Sequence, residues 1–163
     1  MSIKEVCMWV QSLGFPSAIR ESTWLFPCIE TLHVLALALV VGSISMVDLR
    51  LLGLANRGRS VSDLTAEALP WTWAAFAVAG IAGLLMFSSK ALIYYDNFSF
   101  RLKLACIAVA GINMLVFHAV IARQQSDWNF GKVPRAVKLV GGVSLSMWIF
   151  IVAAGRWVGF TTI

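Results

Sequence analysis

Charge is what this 163-residue chain has least of: Asp, Glu, Lys and Arg together make up 13% of it, against roughly 25% in soluble domains. With 60% hydrophobic residues and a mean hydropathy of +0.82, it cannot cover a water-facing surface, which excludes a soluble globular domain. Its few cysteines, Cys7, Cys28 and Cys106, fall in three separate segments and do not read as a disulfide framework or a zinc site. They read as small buried apolar residues, with a metal or redox role as the alternative. There is no phosphate-cradling glycine loop, no low-complexity tract and no convincing internal repeat. The first 20 residues, MSIKEVCMWVQSLGFPSAIR, carry an early acid and only a short apolar stretch, so no cleavable signal peptide is evident. The net charge of +5 is typical of lipid-facing loops and does not point to nucleic acid. Histidine is scarcer than any of these, with two in the whole chain.

What the chain does have is apolar length. Uncharged runs cover 31–47, extended upstream of Glu30 by 22–29, then 68–89, 104–122 and 139–155. Each is close to the roughly 20 residues that a hydrocarbon core of about 30 Å requires of a helix. They are too long and too rich in Leu, Ala and Gly for outer-membrane barrel strands, which alternate over about 10 residues, and a helix satisfies its own backbone in lipid. The sequence therefore predicts an all-α polytopic membrane protein. A single four-transmembrane-helix bundle is expected over 22–163, with spans at about 23–52, 69–91, 101–123 and 135–160. Residues 1–21 form a short N-terminal interfacial segment, either an amphipathic stretch on the bilayer surface or a terminal helix packed on the bundle.

The connections NRGRSVSD, KALIYYDNFSFR and RQQSDWNFGKVPR leave no room for a soluble domain, so any chemistry belongs inside the bundle or at its ends. Arg20, Lys90, Arg101 and Lys103 on one side are outnumbered by Arg50, Arg57, Arg59, Arg123, Lys132, Arg135 and Lys138 on the other. That imbalance favours cytoplasmic 1–2 and 3–4 loops, with both termini outside.

The two histidines carry the functional question. With the first helix starting near Ser22 and Thr23, and Pro27 tolerated in its first turn, His33 lies some 15 Å deep at about 1.5 Å per residue. His118, five residues before Arg123, lies about 7 Å in from the opposite face. An ionisable side chain in lipid is costly and reads first as functional, the alternative being a helix-to-helix hydrogen bond. Two imidazoles without a surrounding Cys or carboxylate cage are poor zinc ligands, but one or two axial nitrogens suffice for haem iron. Glu30 shares a helix face with His33 at i, i+3, where it can orient the ring or pass a proton, or simply reach an aqueous boundary.

Arg101, Lys103 and Arg156 lie towards the N-terminal face and could pair with haem propionates; Arg50 and Arg123 could do so at the other face. Snorkelling at helix ends is the competing reading, except for Arg156, which is flanked by VAAG and WVGF and is expected to face inward. Trp71 and Trp73 in PWTW read as an interfacial anchor, or as the lining of a cofactor or quinone site. The small residues of AAFAVAGIAGLL and VGGVSLS allow close helix approach or room for a macrocycle. Met114, one turn from His118, is a candidate axial or copper ligand, with core packing as its alternative.

Glu30-x-x-His33, DLRLLG, PWTW, FRLKL, NMLVFH and GRW together resemble an uncharacterised family of bacterial four-helix inner-membrane proteins, over nearly the whole chain from about residue 22. More distantly, LHVLALALVVGSISMVDLRL and the helix from Lys103 to His118 look like the bacterial four-helix membrane protoporphyrinogen oxidases and the copper-resistance CopD-type membrane domains. The former likeness implies haem binding at His33 and a functional Lys103. The Lys-to-His separation is longer here than in that family, so the expectation carried over is a b-type haem and not the oxidase activity.

The leading expectation is thus a membrane b-type cytochrome of the bacterial inner membrane, with haem b held by His33 and His118. Glu30 would be the proton partner, and a quinone-type or protein redox partner would exchange electrons with the haem. Both histidines could serve one haem, or each its own. Such a protein could act as a haem-dependent membrane oxidoreductase, and so small a bundle suits a homo-oligomer in the lipid bilayer. The alternatives are a copper- or proton-handling transport protein marked by Glu30, His33 and Met114, and a structural or assembly subunit.

Overall fold

The computed structural model describes residues 2–56, 58–117 and 133–161. Among them are seven helices: α1 (Ile3–Ser12), α2 (Gly14–Glu21), α3 (Leu25–Leu52), α4 (Val61–Ser89), α5 (Ala91–Asp96), α6 (Phe98–Val116) and α7 (Arg135–Thr161), and no strand. Four of them, α3, α4, α6 and α7, are long and apolar enough to cross a membrane. They expose Leu32, Leu35, Ile81, Leu84, Ile112, Leu115, Ile149 and Phe150 on their outer faces. In water those surfaces would drive aggregation; against lipid tails they are matched to the solvent.

The caps explain where the long helices begin. Ser22 Oγ accepts the Trp24 and Leu25 amides at 3.3 and 3.1 Å, so α3 starts just past the Ser-Thr pair. Ser60 Oγ accepts the Asp63 amide at 3.0 Å, starting α4 at Val61, upstream of the apolar run that begins near 69. Residues 61–69, VSDLTAEAL, are mixed in polarity but contain good helix formers, and the helix continues through Pro70. Asn97 Oδ1 accepts the Phe100 amide at 3.0 Å and starts α6.

Small residues let the helices approach. Val40 of α3, Ala75 of α4, Ala110 of α6, and Trp148 and Ile151 of α7 form one buried cluster, so each spanning helix contributes to the centre. A second cluster, at the loop end, joins Leu51, Val61, Phe117, Val133 and Val137. There α7 crosses α3 so closely that a Cβ on Gly141 would sit 3.0 Å from Leu51 Cβ and 3.3 Å from the Asp48 carbonyl oxygen.

The N-terminal segment forms a helical pair docked at the end of the bundle. In α1 a capping box links Ser2 and Glu5, with the Ser2 amide donating to Glu5 Oε2 at 2.7 Å and the Glu5 amide to Ser2 Oγ at 3.3 Å. Gln11 Oε1 accepts the Leu92 amide at 2.9 Å, Arg20 Nη1 donates to the Ser89 carbonyl at 3.2 Å, and Lys4 pairs with Asp96 at 3.0 Å. Cys7 and Ile19 are buried, while Ile3, Met8, Trp9 and Phe15 remain exposed. The pair therefore packs on the bundle and also presents an apolar face outward.

Candidate functional site

His33 projects from α3 onto α4. Its ring is half-buried, and Nδ1 lies 2.8 Å from the Ala79 carbonyl oxygen. A carbonyl oxygen can only accept, so Nδ1 carries the proton, and in the neutral imidazole Nε2 is left with a free lone pair. Gly83, one turn further along α4, makes room for this contact. A Cβ there would stand 3.1 Å from His33 Cε1 and 3.5 Å from Nδ1.

Lys103 reaches the same region from α6, within electrostatic range of the His33 ring. Its stem passes Gly155 of α7, with Cδ 3.5 Å from where a Cβ would be, and its ammonium lies 5.8 Å from the centre of the Phe100 ring. Glu30, exposed one turn before His33, is within electrostatic range of both His33 and Tyr94. Tyr94 of α5 is buried in a ring cluster with Phe87 and Phe100, at centroid distances of 6.4 and 5.4 Å. Burial, and secondarily the negative charge of Glu30, hold its phenol above the ordinary value of 10.0. One end of the bundle therefore gathers an imidazole, a carboxylate, an ammonium and a phenol from α3, α5 and α6.

A second polar constellation lies at the other end. A cavity of about 310 Å³ opens between α3, α4, α6 and α7. Ser43 Oγ and Thr72 Oγ1 meet across it at 2.7 Å, linking α3 to α4. Asp48 lines it at only 4% exposure; its carboxylate bonds to Ser144 of α7, and Oδ2 has no hydrogen-bond partner. Thr65 Oγ1 on α4 is likewise buried without a partner.

Residues 25–161 match the model of a family described as "Family of unknown function (DUF6644)". The chain belongs to the DUF6644 family. No curated protein and no solved structure matches it. The DUF6644 match starts with α3 and runs through α7, so it includes both polar constellations, while α1 and α2 precede it.

Within this DUF6644 chain, the structure brings Glu30, His33 and Lys103 together, while Trp73 and Met114 lie at the other constellation. Arg101 is exposed. Arg156, expected to face inward, instead lies on the exposed surface of α7 with its guanidinium 5.0 Å from the Phe160 ring centre. The physical reason is local: Phe160 is the i+4 neighbour, and its ring face offers the cation a partner without entering the bundle. Trp73, 50% exposed, and Met114 border the Asp48 cavity. That places Met114 near the level of Val47 on α3, about 20 Å along the axis from His33 by the helical rise. His118 and Arg123 lie outside the described residues; Phe117, the last described residue of that stretch, is packed with Leu51 and Val61. Arg50 is buried and folds back onto its own loop, Nε donating to the Arg59 carbonyl at 2.8 Å.

Asp48 is the residue that sequence reasoning passed over. It reads as the charge that ends the first apolar run, yet it lies one turn past Ile44 and one turn before Leu51, which line the same cavity. That i, i+4, i+7 spacing was the available signal.

Proposed function

We propose that this DUF6644 protein is a membrane haem protein of the b type, in which His33 would hold the haem iron through Nε2. The observation that carries the reading is the Nδ1 hydrogen bond to the Ala79 carbonyl at 2.8 Å. Ligating histidines commonly donate their second ring N–H to a carbonyl or carboxylate, which sets the tautomer and the ring direction. The donor set fits a haem and not a closed zinc site: one oriented imidazole, with the ammonium of Lys103 nearby as a partner for a propionate. The distant likeness to membrane protoporphyrinogen oxidases agrees with this pairing, because Lys103 and His33 are the two positions it singles out and they share one end of the bundle.

A bound haem would supply one-electron transfer, in keeping with exchange between a lipid-soluble donor such as a quinol and a redox partner. The chain's own contribution is positional and electrostatic. Ala79 fixes the imidazole, Gly83 leaves space for it, and Lys103 places positive charge beside it. Glu30, on the same helix face, places a carboxylate within electrostatic range of the ring.

The test is an absorption spectrum of detergent-purified protein, air-oxidised and then dithionite-reduced, with pyridine-haemochrome quantitation per chain. A Soret band with sharp reduced α and β bands, lost in His33→Ala, is expected. A featureless spectrum from cells supplied with ample haem, or bands that survive His33→Ala, would overturn the proposal. The same spectra of His118→Ala separate one shared haem from two sites. A second reading, a proton-handling membrane protein, is favoured by the gathering of Glu30, His33, Lys103 and Tyr94. It expects proton flux into proteoliposomes that Glu30→Gln abolishes, with no haem bands.

A further inference from the structure

The Asp48 cavity takes no part in the His33 site, and its chemistry points to a different ligand. Among its described lining residues Asp48 is the only ionisable side chain. Arg50, two residues on, is directed to the Arg59 carbonyl. The Ser43 and Thr72 hydroxyls are occupied by each other and by the carbonyls of Leu39 and Ala68, at 2.8 and 2.9 Å. Asn113 Nδ2 donates to the Val140 carbonyl at 3.2 Å, and among the described lining residues the fully buried side-chain atoms without a partner are Asp48 Oδ2 and Thr65 Oγ1. A carboxylate more than nine-tenths buried, with one oxygen lacking a partner, is costly inside a membrane protein. In its ionised form such a group is completed by an opposite charge or by further hydrogen bonds.

The rest of the wall says what that something looks like. Trp73, Phe76 and Trp148 present aromatic surface to the same space. Aromatic faces attract cations through the ring quadrupole, most strongly when desolvated. A divalent metal ion would need about six or more oxygen ligands, and the wall is mainly apolar. The volume of about 310 Å³ lies at the small end of the range for organic ligands, roughly 300–1,000 Å³. The terminal torsion of an aspartate is soft, so Oδ2 can turn towards a ligand without moving α3.

We propose that this cavity binds a small lipophilic organic cation, an amine or quaternary ammonium with an aromatic or aliphatic body. Asp48 is the counter-charge, Trp73, Phe76 and Trp148 flank the cation, and Thr65 Oγ1 accepts from an N–H where the ligand has one. Entry from the bilayer suits such a molecule, since its body partitions into lipid and its charge meets the carboxylate.

The experiment compares benzyltrimethylammonium with neopentylbenzene, its neutral isostere in which carbon replaces nitrogen, by equilibrium dialysis against the full chain in nanodiscs. The cation is expected to bind saturably at one per chain, and the isostere at least tenfold more weakly after correction for lipid partition. Asp48→Asn should weaken the cation tenfold or more, while Asp63→Asn on the exposed start of α4 should leave it unchanged. Equal binding of the two probes by the unmodified protein, absence of saturable cation binding, or full affinity in a folded Asp48→Asn protein would each overturn the proposal. The two-probe comparison needs no variant, so it decides the matter even if Asp48→Asn fails to fold.

Discussion

The contact between His33 and α4 can be measured by adding one methyl group. In Gly83→Ala the new Cβ would sit 3.1 Å from His33 Cε1, inside the 3.5–4.0 Å or so at which carbon atoms pack best. The ring must withdraw by a few tenths of an ångström, which stretches or breaks its bond to the Ala79 carbonyl. Loss of that bond costs about 1 kcal/mol, and an imidazole forced off its rotamer costs about 0.5–1.5 kcal/mol more. Gly80→Ala, three residues earlier on the same helix, meets nothing within 4 Å and carries the same change in helix propensity. The difference between the two variants therefore isolates the contact. Gly83→Ala should be less stable than Gly80→Ala by about 1.5–2.5 kcal/mol, or roughly 3–10 °C in Tm for a chain of this size. Thermal unfolding followed by tryptophan fluorescence in detergent reads this directly. In a His33→Ala background the penalty should vanish, giving a coupling energy of similar size. Equal Tm values for Gly83→Ala and Gly80→Ala, or zero coupling to His33, would refute the reasoning.

Three further perturbations test other parts of the bundle. Gly141→Ala should destabilise by about 1–3 kcal/mol, because its Cβ meets Leu51 Cβ and the Asp48 carbonyl at 3.0 and 3.3 Å, whereas Gly142→Ala, facing only Leu52 Cδ2 at 3.7 Å, should not; equal melting temperatures would argue against the close α3–α7 crossing. A double-mutant cycle on Ser43→Ala and Thr72→Ala should give a coupling near 0.6 and below about 1.7 kcal/mol, the range of interhelical hydrogen bonds in membranes; an additive pair would remove the α3–α4 bond from the account. Burial and Glu30 keep the Tyr94 phenol protonated above 10.0, so the unfolded chain loses that proton first. The corresponding stability is intact below pH 10 and falls as pH rises towards the higher folded value. Tm measured from pH 9 to 11 should drop more steeply for the unmodified protein than for Tyr94→Phe, and identical slopes would refute the assignment.

The spanning helices were legible because charges and caps bracket the apolar runs, and lipid leaves a long uncharged segment few other conformations. The start of α4 was not, since Asp63 and Glu67 interrupt the hydropathy of 61–69 while leaving its helix propensity intact. At the candidate site, Glu30 and His33 could be paired from their spacing alone. Their proximity to Lys103 depends on how α3 and α6 rotate against each other, which one sequence does not encode locally. The same limit applies to Arg156: its flanking residues suggested burial, but the side of α7 that meets the bundle is decided by packing around Trp148 and Ile151. Asp48 shows the opposite case, a position whose helical periodicity was readable but whose charge drew attention to the end of the run.

The docking of the N-terminal helices also has a consequence for biosynthesis. Lys4 pairs with Asp96, 92 residues later, and Gln11 and Arg20 bond to backbone at Leu92 and Ser89. At a translation rate of about 5–20 residues per second, roughly 5–18 s pass between synthesis of the N-terminal pair and of its receptor. Until Asp96 and Leu92 are made, α1 lacks its contacts with α5, and Trp9 and Phe15 keep their apolar surface exposed. The headgroup layer is the natural holding place for such an amphipathic segment. An amphipathic pair held there completes its bonds to α5 only once Leu92 and Asp96 have been made.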